Sequence, residues 1–180
     1  MPGGLSAIAL QHTAMAIKRL ALAALCTLGL SSPALAEPTL SQWVDALNRA
    51  GVQRRISDSC ESRFYAIYHH RTNTITLCNS AFRNQQILLE TIAHEAIHAA
   101  QRCLALRHDR RGLMSFIVGM RLWDRQKADA TEQIVREGLY HRNIPREDYG
   151  NNQLTEYEAY YYESKPDLAM KMLLRSCTNE

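Results

Sequence analysis

The sequence predicts an α+β fold, a mainly helical domain with a small β-hairpin beside its longest helix. Three observations carry this expectation. Leu88 to Ala105 (LLETIAHEAIHAAQRCLA) is a long run of helix formers with no Gly or Pro. Arg63–Tyr68 (RFYAIY) and Thr74–Cys78 (TITLC) are rich in aromatic and β-branched residues. They flank the polar segment His69-His70-Arg71-Thr72-Asn73, and together read as a hairpin. From Leu113 onward, apolar-periodic segments alternate with turn residues, the pattern of further helices.

The first 36 of the 180 residues read as a leader. Met15 to Ala36 (MAIKRLALAALCTLGLSSPALA) has a basic start at Lys18 and Arg19, an apolar run from Leu20 to Leu30, and an A-x-A site at Ala34-Leu35-Ala36. That is the pattern of a secretory signal peptide cleaved after Ala36, with Met15 an alternative start. Its apolar run is short for a membrane span. Leu25 precedes Cys26 where a lipoprotein site wants a small residue, so Cys26 reads as part of the apolar run. Residues 37–180 then form one domain. The leader holds two of the 21 basic side chains and none of the 18 acidic ones, which leaves 19 against 18, a balance of +1. Such a balance argues against a nucleic-acid partner and against an anionic membrane surface. The expected location is periplasmic or secreted, with no stable membrane insertion after cleavage.

Four cysteines remain beyond the leader, an even number in an exported chain, and suggest two disulfides. Of the three possible pairings, Cys60–Cys78 with Cys103–Cys177 is favoured, because the first closes the hairpin region and the second ties the last helix to the longest one. A thiolate metal site is the rival use, but no C-x-x-C spacing supports it.

Taken in order, Thr39–Ala50 reads as a helix capped by Ser41, with Trp43, Val44 and Leu47 as its apolar stripe and Gly51 as its stop. The hairpin follows, with His69 and His70 as solvated turn residues rather than ligands. Asn79–Gln85 connects to the long helix, expected from about Asn84 to Arg107. His108–Gly112 is a polar loop, its His108 favoured as a cation near a helix end. Leu113–Trp123 (LMSFIVGMRLW) is a buried helix too short to span a membrane. Asp124–Leu139 is a more polar helix with Ile134, Val135 and Leu139 on one face. Tyr140–Gln153, with Pro145 and Gly150, is a loop. Leu154–Cys177 returns to helix, with Thr155 as a cap, a break at Pro166, and Ser164 as the new cap.

Within the longest helix, His94-Glu95-Ala96-Ile97-His98 is an H-E-x-x-H motif. Residues four apart share a helix face one turn apart, so His94 and His98 can aim two imidazoles at one ion. Glu95 lies about 100° round the helix, beside the ion rather than on it. Zinc accepts neutral imidazole and, in catalytic sites, takes three protein ligands with one open position. The metzincin pattern would supply a third His at position 104, which is Leu, and position 101 is not Gly. A Glu on a later helix is the remaining common solution, and Glu156 and Glu158 both stand at such a helix start.

Glu156-Tyr157-Glu158-Ala159 resembles the E-x-x-A segment of gluzincin-type peptidases, including the membrane peptidases that process prenylated proteins. The resemblance implies a zincin-like fold with Glu156 as third ligand and Ala159 as the small residue that lets its helix approach the metal helix. Glu158 stays open as an alternative ligand, or as a support for a ligand His. An acid often follows the Ala in that family, where this chain has Tyr160. A shorter stretch, Thr76 to Arg102, is similar to the mitochondrial peptidase that matures an ATP-synthase subunit. It bears on architecture, not on substrate.

The expected function is zinc-dependent hydrolysis of peptide bonds in a peptide or protein substrate, through a zinc-activated water with Glu95 as general base. The ligands are then His94, His98 and Glu156. Tyr160, Tyr161, Tyr162 and His141 are candidate oxyanion donors. Two other readings stand beside it, a non-catalytic zincin-like binding protein and a zinc amidase acting on cell-wall peptide. Glu95 separates the first of these, because a structural site has no use for a base. In zinc peptidases of this kind an edge strand beside the metal helix binds extended substrate, and the hairpin is placed to supply one.

Overall fold

A computed structural model describes residues 37–61, 64–122, 124–141 and 153–178. The leader reading therefore lies outside the described residues, as do Trp123 and most of the loop expected before Gln153. Residues 37–180 form one compact unit. The fold is α+β, mostly helical with one small mixed sheet.

Helix α1 (Leu40–Arg49) is capped by Thr39 rather than Ser41. The Thr39 hydroxyl accepts from the Gln42 N–H, while the Gln42 side chain accepts from the Thr39 N–H. This reciprocal pair satisfies two donors that the first turn leaves open, which Ser41, already inside the helix, cannot do. Trp43, Ala46 and Leu47 are its buried stripe. Gly51, at φ +67°, turns the chain out of the helix.

The hairpin pairs β2 (Ala66–His69) with β3 (Thr74–Cys78) antiparallel, Ala66 opposite Leu77 and His69 opposite Thr74. Its turn closes on Asn73 at φ 52°, a conformation Asn tolerates. The Asn73 side chain accepts from the Tyr68 hydroxyl (2.6 Å) and donates to Gly51 O (2.8 Å). The expected first strand is shortened: residues 64 and 65 precede the ladder. A third strand, β1 (Gln53–Ser57), pairs parallel with β3, giving the order β1-β3-β2. Its sequence, QRRIS, carries one apolar residue because the strand is exposed almost throughout. Its backbone ladder and the buried Val52 before it hold it in place. A 3-10 turn, Asn79–Arg83, leads on to the longest helix.

Helix α2 (Gln85–Arg107) is the axis of the domain. Asn84 caps it, its side chain accepting from the N–H groups of Gln86 and Ile87. Leu88, Leu89, Ile92, Ala93, Ala96, Ile97, Ala99, Ala100 and Ala105 are buried, so the helix is covered on most of its circumference. Burying a side chain the size of Ile97 contributes about 1.5–3 kcal/mol. Packed on α2 are α5 (Gln153–Glu163) and α6 (Pro166–Cys177). Alanines are prominent in this packing: Ala93, Ala96, Ala99 and Ala100 share one buried core with Ala159 of α5 and Ala169 of α6. Small side chains bring the backbones close enough for α5 to present a side chain to α2.

The apolar segment expected as one helix over Leu113–Trp123 is helical only as α3 (Phe116–Arg121), because Ser115 caps it by accepting from Val118 N–H. Helix α4 (Arg125–His141) packs on α3 and α5. Arg121 pairs with Asp129 and Glu132 of α4. Gly138 lets α4 lie against α5, since a Cβ there would sit 2.7 Å from the Tyr161 ring. Thr155 is within α5, not at its cap. Lys165, not Ser164, is the N-cap of α6, with no side-chain bond; Pro166 at the first helical position sets the backbone instead.

Two disulfides are present, Cys60–Cys78 and Cys103–Cys177. The first joins the segment after β1 to the end of β3, and the second fastens α6 to α2. Such bonds suggest an oxidising compartment. Among the described residues no helix is long and apolar enough to cross a membrane.

Candidate metal centre

His94 and His98 project from the middle of α2 toward α5 with ring centroids 5.0 Å apart. From α5, Glu156 spans them, its Oε2 3.7 Å from His94 Nε2 and its Oε1 3.5 Å from His98 Nε2. Each of the three residues offers one ligand atom, and all lie within 4.8 Å of one another. Ligand atoms at about 2.1 Å from a tetrahedral ion are about 3.4 Å apart, so this donor set fits a small divalent metal.

The far side of each ring is fixed. His94 Nδ1–H donates to Glu163 Oε2 at 2.9 Å. His98 Nδ1–H donates to Gln101 Oε1 at 2.9 Å. The Gln101 amide can only face this way, because its Nε2 donates to two acceptors, Thr155 O (3.0 Å) and Glu158 Oε2 (2.9 Å). With Nδ1–H committed to an outer acceptor on both rings, Nε2 is the atom each ring turns toward Glu156 and would offer to a metal. Such outer partners set tautomer and orientation in metal sites.

Charge in the metal-free site follows from this arrangement. Burial opposes a charge on His94, but hydrogen bonds to Glu156 and Glu163, with Glu95 nearby, outweigh it and push the ring up to about 10. Burial likewise opposes ionisation of Glu156, yet its two histidine partners hold its carboxyl well below the usual carboxylate range.

Glu158 does not face the metal ligands. Two residues along a helix is a rotation of about 200°, and its side chain enters the space between α5, α2 and α3. There it accepts from Ser115 Oγ (2.8 Å), Ile117 N (2.8 Å), Phe116 N (3.0 Å) and Gln101 Nε2. Burial pushes its carboxyl up against the pull of these four donors. Of the two acids left open by the sequence, the structure brings Glu156 to the histidines and gives Glu158 to the start of α3.

Comparison with known proteins adds no relative: no protein-family model, no curated protein and no solved structure matches this chain. The site is therefore read from its own residues.

Glu95 is buried, at 7% exposure. Its charge acts on His94 and on Tyr68 of β2; burial lifts the Tyr68 hydroxyl, Arg102 opposes this, and Glu95 adds to it. Among the tyrosines, Tyr160 packs edge-on against His94 at 4.7 Å. Tyr161 and Tyr162 pack on each other, with Lys165 over the Tyr161 ring. The side chain of His141 lies outside the described residues. His69 and His70 are exposed at the hairpin turn and do not join the metal cluster.

Glu163 and Gln101 escaped the sequence reading. Both were reachable by helix arithmetic: Gln101 is one turn beyond His98, and Glu163 is two turns beyond Glu156 on the same face.

Proposed function

We propose that this protein is a zinc-dependent metallopeptidase of an oxidising, extracytoplasmic compartment. What supports the reading is a buried carboxylate, Glu95, whose charge acts on His94, beside a His-His-Glu donor set whose rings each hold Nδ1 on an outer acceptor and turn Nε2 toward Glu156. Zinc bound by His94, His98 and Glu156 would supply Lewis acidity toward a carbonyl oxygen and toward water.

The chain's own residues account for the rest. Glu95 takes the proton from the attacking water and returns it to the leaving amine nitrogen. Its burial keeps the carboxylate away from competing solvent. Glu163 and Gln101 keep the imidazoles from turning, so the geometry is set before substrate arrives. Strand β2 is the sheet edge nearest α2, and no strand among the described residues pairs with its outer side. Its open backbone groups favour a peptide substrate held as an added strand.

Glu95→Gln tests this. The purified, zinc-loaded protein is expected to cleave members of a quenched fluorescent peptide library. The variant should hold as much zinc while its turnover falls by about 10²–10⁴-fold. Undiminished turnover in the variant, or a zinc-loaded protein that cleaves no peptide, overturns the proposal and leaves a zincin-like binding protein.

A further inference from the structure

Two hollows flank the hairpin turn. One, of ≈ 430 Å³, opens on the face of the sheet turned away from α2, with Arg55, His69, His70 and Arg71 among its walls. The other, of ≈ 570 Å³, lies between the turn and the C-terminal part of α2, walled by His70, Arg71, Arg102, Leu106, Arg111 and Gly112. His70 and Arg71 belong to both. No carboxylate lines either hollow.

Three guanidiniums, those of Arg71, Arg102 and Arg111, thus line the second hollow, with Arg55 in the first, in a domain whose balance beyond residue 36 is only +1. No ion pair joins any of the four to a carboxylate among the described residues. Arg102 is also anchored, its Nε–H donating to His70 O at 2.7 Å, which leaves the outer nitrogens of its fork free of that bond. Like charges gathered this way repel unless they share an anion, and a planar guanidinium fork suits a carboxylate.

The position relates this corner to the metal centre. Arg102 is one turn beyond His98 on α2, a rise of about 6 Å. Arg102 is also seven residues, two turns, beyond Glu95, so the two lie on the same side of α2. An extended peptide advances about 3.3 Å per residue. A chain lying along β2 with its scissile bond at Glu95 would therefore reach the second hollow about two to four residues away.

We infer that Arg71, Arg102 and Arg111 form a subsite for the acidic side chains of a peptide substrate. The inference rests on the peptidase reading and adds its substrate class: peptides carrying Asp or Glu two to four positions from the bond cleaved.

Fluorescence anisotropy with two labelled peptides of equal length tests it, one rich in Asp and Glu and the other with Asn and Gln in their places. Three proteins are compared: the wild type, Glu95→Gln, and Arg71→Gln combined with Arg111→Gln, two exposed positions outside the core. The wild type should prefer the acidic peptide by about tenfold at low salt, and the preference should weaken as salt rises. Glu95→Gln should keep the preference, and the double variant should lose it. Equal binding of the two peptides by the wild type overturns the inference, as does a preference that survives in the double variant. Retention on phosphatidylglycerol vesicles, abolished in the double variant and unaccompanied by any peptide preference, also overturns it by assigning the surface to lipid. The two proposals fail separately. A protein that prefers acidic peptides but cleaves nothing loses the peptidase reading, and one that cleaves both peptides with equal KM loses the acidic subsite.

Discussion

His98 is held by a chain of amides and carboxylates that begins three residues away and ends on another helix. Its Nδ1–H meets Gln101, Gln101 meets Glu158 and Thr155 O, and Glu158 meets the first N–H groups of α3. Gln101→Met keeps the volume and removes both roles, so zinc affinity should fall about ten- to hundredfold, read by competition with a chelating dye. Unfolding free energy should also fall by about 1–3 kcal/mol, since buried Glu158 loses a donor and His98 an acceptor. The His94–Glu156 pair gives a pH signature in the metal-free protein. His94 is raised from 6.5 to about 10, so its contribution to stability is complete below 6.5 and lost as pH climbs toward about 10. Glu156 is depressed from 4.5, so its contribution is complete above 4.5 and lost in stronger acid. The pair therefore stabilises the metal-free fold most between pH 4.5 and 6.5, and chemical unfolding across pH 4–10 should show the loss on the alkaline side. Metal binding must expel the His94 proton, so zinc affinity should rise with pH through neutrality, with proton release seen by calorimetry in buffers of different ionisation enthalpy. The His94, Glu95 and His98 placement was legible because it depends only on helix period. The choice between Glu156 and Glu158 was not, because it turns on which side of α5 faces α2, and that is decided by Ala159 and the N-terminus of α3.

At the scale of elements, α1 and α6 were readable where apolar spacing agreed with a Gly or Pro boundary, and α2 from its long run of helix formers without Gly or Pro. Strand β1 was not, because a parallel edge strand exposed almost throughout carries no alternation, and its partner lies 21 residues away, Gln53 opposite Thr74. Helix α3 was overextended from an apolar run whose first residues, Leu113 and Met114, pack without helical geometry before Ser115 caps the helix. The disulfide pairing followed from geometry that the sequence did suggest, a terminal helix lying on the metal helix. Cys103–Cys177 closes a separation of 74 residues between α2 and α6. Replacing both cysteines by Ala should lower unfolding free energy by about 2–4 kcal/mol. α6 packs on α2 on its own account, so the oxidised wild type and the double variant should bind zinc alike. A variant of unchanged stability would mean that α6 is held by packing alone.

For the whole molecule, a buried alanine-lined junction of three helices supports the site, a small sheet lies beside it, and two disulfides brace it. The domain can fold before metal arrives, because its core of Trp43, Leu47, Ile75, Ile97 and Leu173 is formed without any ligand side chain. Metal should then add stability by mass action, about 2.7 kcal/mol at a hundredfold excess over Kd. The most direct measurement is the zinc content of the purified, folded protein beside Glu156→Gln and Glu158→Gln. The account predicts close to one zinc per chain in the wild type, a large loss in Glu156→Gln, and, for Glu158→Gln, a protein that is less stable but still takes up zinc when saturated. A folded wild-type protein that takes up no zinc at any loading, or one whose zinc survives Glu156→Gln and is lost in Glu158→Gln, would contradict it.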